Sequence, residues 1–170
     1  TRFQNNQFGL VLEGQSAACL KSCRFEANTH CGAWLRSRAQ LRCRSCSWRL
    51  NKAALIVGSN ALLRCRGDEF QEQSQGHVFC VEQCRAELAR CSFSDAPLGV
   101  FCRDDASVKL SSSTLRGHDL AASASSRSRL QLESDSFSRN KDAVWIQDEA
   151  GLRCAGSCFD DNNVGLKASR

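Results

Sequence analysis

The chain has 170 residues, with 23 Lys plus Arg against 18 Asp plus Glu and a formal net charge of +5. This length suits a single domain, and the ordinary shares of apolar (42%) and charged (24%) residues argue against disorder. The positive charge is too small and too evenly spread to indicate a nucleic-acid-binding protein. No apolar run reaches the roughly 18 residues of a membrane-spanning helix, so no transmembrane segment is expected.

A large apolar residue, usually aromatic, recurs from one end of the chain to the other. Successive members of this series are 22 or 23 residues apart. The series consists of Phe3, Phe25, Trp48, Phe70, Phe93, Leu115, Phe137 and Phe159. The spacing predicts eight repeating coils that together form one domain over residues 1–170.

Each repeat contains three short segments in which apolar and polar residues alternate. In chain order, clear examples are GLVL (9–12), CRF (23–25), LRCR (41–44), ALIV (54–57), GVFC (99–102), LQLE (130–133), DSF (135–137) and AVWI (143–146). Alternation with a period of two predicts strands, and no segment shows the 3.6-residue period of a helix. Because so short a unit cannot bury its apolar face alone, the coils must stack, with like residues on like. We therefore predict an all-β solenoid.

Two segments carry a family resemblance. CRFEANTHCGAWL (23–35) and DSFSRNKDAVWI (135–146) belong to units of the form C-x-F-x-x-N-x-x-x-G. Such units resemble the pectate-lyase-like superfamily of right-handed parallel β-helices, and most closely the CASH-type repeats of F-box β-helix proteins. The resemblance implies a single-stranded right-handed parallel β-helix of about eight coils of 22–23 residues. It does not select a function, because this fold serves lyases, epimerases, hydrolases and substrate receptors.

Asparagine dominates the position three residues after the aromatic. Stacked Asn side chains can hydrogen-bond to their neighbours in adjacent coils, and Asn tolerates the left-handed backbone of a tight turn. We therefore predict a structural ladder rather than a catalytic role. The predicted ladder residues are Asn6, Asn28, Asn51, Asn140 and Asn162, and Gln73, Ala96 and His118 occupy the same position in the other coils.

The position eight residues after the aromatic is largely apolar. Its neighbours, such as Leu10 and Leu12, are expected to point inward, so alternation directs this column outward. An exposed apolar strip usually marks an interface, although another segment of the chain could also cover it. After a one-residue insertion is allowed for in the second coil, the predicted partner-binding residues are Val11, Trp34, Ile56, Val78, Phe101 and Trp145.

A second outward column lies six residues before the aromatic and includes Arg42, Arg64 and Arg153. Stacked Arg side chains repel one another, and contact with an acidic partner would relieve that repulsion. The alternative is a solvated edge that discourages aggregation of the sheet.

Twelve cysteines are present, and six of them fall in two inward columns that hold Leu, Ser or Asp in other coils. This exchange predicts buried free thiols, and hence a reducing compartment, rather than fixed disulfide pairs. Cys43 and Cys46 form a C-x-x-C pair, but no second such pair faces them, so neither a metal site nor another cofactor is expected. The six residues are Cys23, Cys43, Cys46, Cys65, Cys91 and Cys154.

No group of carboxylates converges in the predicted coils, so no catalytic residue is expected. Asp68 and Asp135 share a column but lie three coils apart. The leading hypothesis is a non-enzymatic scaffold or protein-binding module, a subunit or recognition domain of a larger assembly. Its protein partners are expected on the outward apolar column and at the two ends, where the sequence suggests no cap. The alternative is a polysaccharide-active lyase, epimerase or hydrolase.

Overall fold

The computed structural model describes all residues, Thr1–Arg170, and consists of β-strands joined by turns. The strands form three parallel sheets, and each of the first seven coils adds one strand to each sheet in turn, whereas the last coil adds a strand to two of them. The predicted all-β solenoid of about eight coils is therefore confirmed. The chain has no helix with the length and apolarity needed to cross a membrane.

We number the sheets in the order in which the chain enters them. Sheet I contains β1 (Arg2–Gln4), β4 (Arg24–Glu26), β7 (Ser47–Arg49), β10 (Glu69–Gln71), β13 (Ser92–Ser94), β16 (Thr114–Arg116), β19 (Ser136–Ser138) and β22 (Cys158–Asp160). Sheet II contains β2 (Phe8–Leu12), β5 (Cys31–Leu35), β8 (Ala53–Val57), β11 (Gly76–Cys80), β14 (Leu98–Cys102), β17 (Leu120–Ala124), β20 (Asp142–Gln147) and β23 (Val164–Ser169). Sheet III contains β3 (Ala17–Lys21), β6 (Gln40–Arg44), β9 (Leu62–Arg66), β12 (Arg85–Ala89), β15 (Ser107–Ser111), β18 (Arg129–Glu133) and β21 (Gly151–Ala155).

The repeating aromatic residue is the central residue of each strand in sheet I, and its side chain points into the core. Phe25 and Trp48 are fully buried, and their ring centroids lie 4.0 Å apart with the planes 8° from parallel. Phe70 and Phe93 stack in the same way, at 4.6 Å and 10°. Parallel in-register strands place each ring directly against the ring one coil away, so the repeat spacing itself creates the stack.

Each coil turns three corners, and a residue with positive φ sits at every one of them. At the corner between sheets I and II this residue directly precedes the ladder position, as in Ala27 (φ 53°) before Asn28 and Leu50 (φ 55°) before Asn51. The sequence argument that the ladder Asn itself adopts the left-handed conformation is therefore wrong. The preceding residue makes the turn, which leaves the Asn side chain free to point inward.

The Asn side chains hydrogen-bond along the corner from coil to coil. Asn28 Nδ2 donates to Asn51 Oδ1 at 2.8 Å and to the Phe3 carbonyl at 3.0 Å. Asn51 Nδ2 in turn donates to Gln73 Oε1 and to the Phe25 carbonyl. Because these corners are buried, each Asn pairs backbone groups that the sheets leave free.

One predicted partner-binding residue, Val78, points inward. Val78 pairs with Leu55 and Val100 and is fully buried, whereas Phe79 pairs with Ile56 and Phe101 in the outward column. The fourth coil carries its extra residue between β10 and β11, so counting eight residues from the aromatic stops one short. A one-residue slip moves a strand residue to the opposite face of the sheet.

Replacement of Asn51 by Ala should lower the free energy of unfolding by about 2–4 kcal/mol, since it leaves the Phe25 carbonyl and the Asn28 amide without partners in the core. The matched control is Asn6→Ala, which removes a more exposed member of the ladder and should cost less than about 1 kcal/mol. Urea denaturation measures both values. Equal losses from the two variants would show that the ladder does not stabilise the core.

The register can be tested with a pair of adjacent substitutions. Val78→Asp places a carboxylate in the core and should cost about 4 kcal/mol or more, enough to prevent folding. Phe79→Asp places the same group on the outer face and should leave the far-ultraviolet circular dichroism of the β-helix intact. A folded Val78→Asp protein together with an unfolded Phe79→Asp protein would reverse the assignment of the two faces.

Candidate functional site

The outer face of sheet II carries one continuous column of side chains. Strand pairing places the members directly beside one another in neighbouring coils. In order they are Val11, Trp34, Ile56, Phe79, Phe101, Ser123, Trp145 and Lys167. We call the first five of these, from Val11 to Phe101, the apolar strip, because no polar side chain interrupts them.

Most of the apolar strip is half-buried, although it faces outward. Val11 exposes 40% of its surface, but the larger side chains from Trp34 to Phe101 are partly covered by their neighbours. The Trp34 ring packs on Phe8 at 5.6 Å between centroids, and the Arg36 guanidinium lies over the Trp34 ring at 4.7 Å from its centroid. Strands about 4.8 Å apart bring outward side chains into contact, so the strip is a closely packed ridge.

The remaining members of the column differ in character. Ser123 is buried, which interrupts the apolar surface at the sixth coil. Trp145 lies beneath the Lys167 ammonium at 4.3 Å, and its Nε1 donates to Ser169 Oγ at 3.1 Å. Trp145 therefore stands apart from the apolar strip and already has polar contacts within the chain.

The predicted Arg column lies on the outer face of sheet III. Arg42 and Arg64 are direct neighbours there, and Arg64 forms an ion pair with Glu87 at 3.1 Å. Arg153 is separated from them by Glu87, Lys109 and Gln131, so it does not join the group. A second pair, Arg44 and Arg66, stacks beside the first. Arg42, Arg44 and Arg66 form no ion pair, which leaves three uncompensated positive charges on two strands, β6 and β9.

Several carboxylates lie at the corner between sheets II and III, where they accept hydrogen bonds from the backbone or from a neighbouring Arg. Asp104 accepts from the Glu82 amide at 3.2 Å, and Asp148 accepts from the Ser126 amide at 3.0 Å. Arg127 binds both oxygens of Asp105 at 2.9 Å and holds the pKa of that carboxyl below its usual value. These groups act as turn caps and ion partners, an arrangement that offers no free acid–base pair.

A second polar ladder runs along the corner between sheets III and I, and the sequence analysis did not anticipate it. Asp68 accepts from the Cys46 amide at 2.8 Å, and Asp135 accepts from the Ser113 amide at 2.8 Å. Burial raises the pKa of both carboxyls to about 6, although these amides oppose the rise. The signal was present in the sequence, since Cys, Ser and Asp share this position and all can accept a hydrogen bond.

The thiols divide by position. Nine cysteines are buried, and the three exposed ones are Cys19, Cys154 and Cys158. Cys154 was expected to point into the core, but its strand β21 is the outermost of sheet III and has no neighbour on one side. At the corner between sheets III and I, the ligand atoms of Cys43, Cys46 and Asp68 lie within 4.8 Å of one another, and all three residues are buried.

Two buried histidines meet inside the fourth to sixth coils. The His77 and His118 ring centroids are 5.1 Å apart, and both residues are almost fully buried. His118 Nδ1 contacts the Ala96 carbonyl at 2.9 Å, whereas neither nitrogen of His77 has a hydrogen-bond partner. Burial lowers the pKa of each imidazole below its usual value, and the neighbouring His118 ring lowers the pKa of His77 further. His77 occupies a position that is Gly or Ala in the other coils, beside the gap that Ala96 leaves in the Asn ladder.

No protein-family model matches this chain, and no curated protein matches it in sequence. The geometry of its own residues is therefore the basis for assigning a function.

The two buried histidines should make stability fall as the pH drops below about 6.5. The unfolded chain takes up protons there more readily than the folded chain, so each histidine should add up to about 1.4 kcal/mol per pH unit to the slope. His77→Ala and His118→Asn restore the residues typical of their columns and should flatten this slope, as urea denaturation between pH 7 and 5 would measure.

The two carboxyls with raised pKa values, Asp68 and Asp135, change the stability in the opposite direction as the pH falls. Their contribution to stability is present below about pH 4 and is lost as the pH rises through about 6. The informative quantity is therefore the difference in slope between wild type and each histidine variant. An unchanged slope in both variants would mean that neither imidazole titrates differently on unfolding.

Proposed function

We propose that the protein is a non-enzymatic β-helical scaffold that binds another protein through the apolar strip on the outer face of sheet II. The observation that carries the proposal is the unbroken run of Val11, Trp34, Ile56, Phe79 and Phe101 across five neighbouring strands. Large apolar patches on a soluble surface mark interfaces, and Trp and Phe are favoured anchors there.

The shape of the strip suits a rigid docking surface. Five parallel strands at about 4.8 Å spacing hold the side chains along roughly 20 Å, and the stacked core beneath fixes their positions. A partner would therefore meet a preorganised ridge, which lowers the entropy cost of association. Burial of the remaining exposed parts of Trp34, Phe79 and Phe101 would supply the central, desolvated part of such an interface.

The resemblance to CASH-type repeats agrees with a binding role, because the F-box proteins that carry these repeats act as substrate receptors. The predicted acidic contact is less well supported for Arg153, which stands alone, than for Arg42 and its neighbours. The enzymatic alternative gains no support from the carboxylates, which cap turns or pair with Arg127. These points support a role as a recognition subunit in a larger assembly over an enzymatic role.

The proposal can be tested by affinity purification of tagged protein from its native source, followed by reconstitution with the purified partner. Phe79→Glu and Phe101→Glu should each weaken binding at least 30-fold, equivalent to about 2 kcal/mol, because each places a charge in the dry centre of the interface. Calorimetry measures the affinity, and circular dichroism confirms that the variants fold.

Gln40→Glu is the matched control, since it adds the same charge on the exposed outer face of sheet III. It should bind as wild type does. A partner that binds all three variants equally would contradict the proposal, as would self-association of the chain that Phe79→Glu abolishes. Turnover of a polysaccharide in a broad glycan panel would instead support the enzymatic alternative.

A further inference from the structure

At the corner between sheets III and I, the C-x-x-C pair of Cys43 and Cys46 is stacked on a second pair of residues that the sequence pattern did not reveal. Cys43 pairs with Cys65 in the neighbouring strand, and the Cys46 amide donates to Asp68 one coil away. Cys43-x-x-Cys46 therefore lies against Cys65-x-x-Asp68. The second pair has a carboxylate in place of a thiol, so a search for two C-x-x-C motifs could not find it.

Three of these four side chains converge on one buried point, and the fourth, Cys65, lies next to two of them. The ligand atoms of Cys43, Cys46 and Asp68 are all within 4.8 Å of one another, and the Cys65 thiol interacts with both Cys43 and Asp68. Ligand atoms around a tetrahedral zinc ion are about 3.5–3.8 Å apart, given Zn–S of about 2.3 Å and Zn–O of about 2.0 Å. Zinc binding would therefore require the ligand atoms to move closer together than they lie in the structure.

A second, separate observation concerns the Asp68 carboxylate. It is fully buried, yet Oδ2 has no hydrogen-bond partner of good geometry, although the Cys65 thiol and the Trp48 indole approach the carboxylate. An unpaired buried carboxylate oxygen is costly, and buried carboxylates are normally paired or coordinate a metal. Its counterpart Asp135, by contrast, uses both oxygens to accept backbone amides.

We call Cys43, Cys46, Cys65 and Asp68 the thiol array, and its two sheet III members, Cys43 and Cys65, have no thiol counterpart in the flanking coils. In the coils on either side, Leu20 and Leu88 replace the thiols of Cys43 and Cys65. The corner column carries thiols in the flanking coils as well, at Cys23 and Cys91, and its later members include Ser113 and Ser157. The corner ladder accounts for a Cys, Ser or Asp there, but it does not account for the thiols of Cys43 and Cys65 beside it in sheet III.

The charge outside the array complements an anionic centre within it. Each of the two thiols in sheet III is flanked along its strand by two outward Arg side chains, Arg42 and Arg44 beside Cys43 and Arg64 and Arg66 beside Cys65. Three of these Arg residues have no ion partner. Three thiolates and one carboxylate around Zn²⁺ carry a net charge of about −2, which these side chains would offset across a strand of low dielectric.

We propose that Cys43, Cys46, Cys65 and Asp68 form a structural Zn²⁺ site that ties two adjacent coils together inside the solenoid. Binding takes the metal from solution and releases the three thiol protons to solvent, since thiolates are the ligands. A closed four-ligand site of this kind has no open position, so its role is stability rather than catalysis. The thiol-rich set favours Zn²⁺ over Mg²⁺ or Ca²⁺, which prefer oxygen.

The repeat itself supplies variants that should fold without the metal. Cys43→Leu, Cys65→Leu and Asp68→Ser each install the residue that another coil carries at the same position. Cys31→Ala and Cys91→Ser are controls of the same kind, because they replace buried thiols outside the array with residues found one coil further on. Circular dichroism confirms that each variant retains the β-helix.

Metal binding is measured on the full chain under reducing conditions, with zinc content by elemental analysis and Co²⁺ as a spectroscopic probe. Wild type and both controls should bind one Zn²⁺ per chain, and their Co²⁺ forms should show the visible bands of a tetrahedral site with thiolate charge transfer. Cys43→Leu and Cys65→Leu should lose stoichiometric binding. Asp68→Ser should weaken it at least tenfold while keeping the charge-transfer band of any Co²⁺ that still binds.

Three results would overturn the proposal. The first is wild-type protein that takes up neither metal after reduction, and the second is uptake that persists unchanged in Cys43→Leu and Cys65→Leu. The third is a Cys43–Cys46 or Cys43–Cys65 disulfide in the native protein, found as missing thiols in a denatured, non-reduced titration.

Removal of Zn²⁺ by a chelator should also lower the thermal midpoint of wild type and the controls but not that of the array variants.

Discussion

Stacking of equivalent residues is the constraint on which this molecule depends. Every strand pairs in parallel and in register with the strand one coil away, so each side chain has its own counterpart as a direct neighbour. Most positions are therefore occupied by residues that pack well against a similar residue in the next coil. Aromatic rings meet this condition by stacking, as Phe25 and Trp48 do at 4.0 Å, and leucine meets it by dispersion contacts in the core.

The same constraint decides what happens to polar groups at the corners. A tight turn leaves backbone amides and carbonyls inside the solenoid, where no water can pair with them. Two ladders solve this, one built from Asn and one from Cys, Ser and Asp, and both use the next coil as the partner. Where the Asn ladder is broken at Ala96, two imidazoles fill the space, and the core gains groups that resist protonation.

Both proposed sites are columns of residues from neighbouring coils, and neither is a motif that is continuous in the sequence. The apolar strip and the buried thiol array each draw residues from different coils, more than 20 positions apart along the chain. Their meaning depends on alignment in space, since a single Phe79 or a single Asp68 is unremarkable in its own coil. The two features lie on different sheets and corners, so the proposed partner surface on sheet II and the proposed metal site do not compete for the same residues.

The sequence alone determined the solenoid, its eight coils and most of its columns, because a regular spacing forces regular stacking whatever the details of the coil. It did not locate the insertion in the fourth coil, so Val78 was predicted to face outward instead of Phe79. Periodicity gives the number of residues in a coil but not the turn in which an extra residue lies. Only the tertiary structure placed Cys65 and Asp68 beside Cys43 and Cys46 and left Asp68 Oδ2 unpaired. Distances between side chains depend on how coils pack against one another, and that packing is a property of the folded chain.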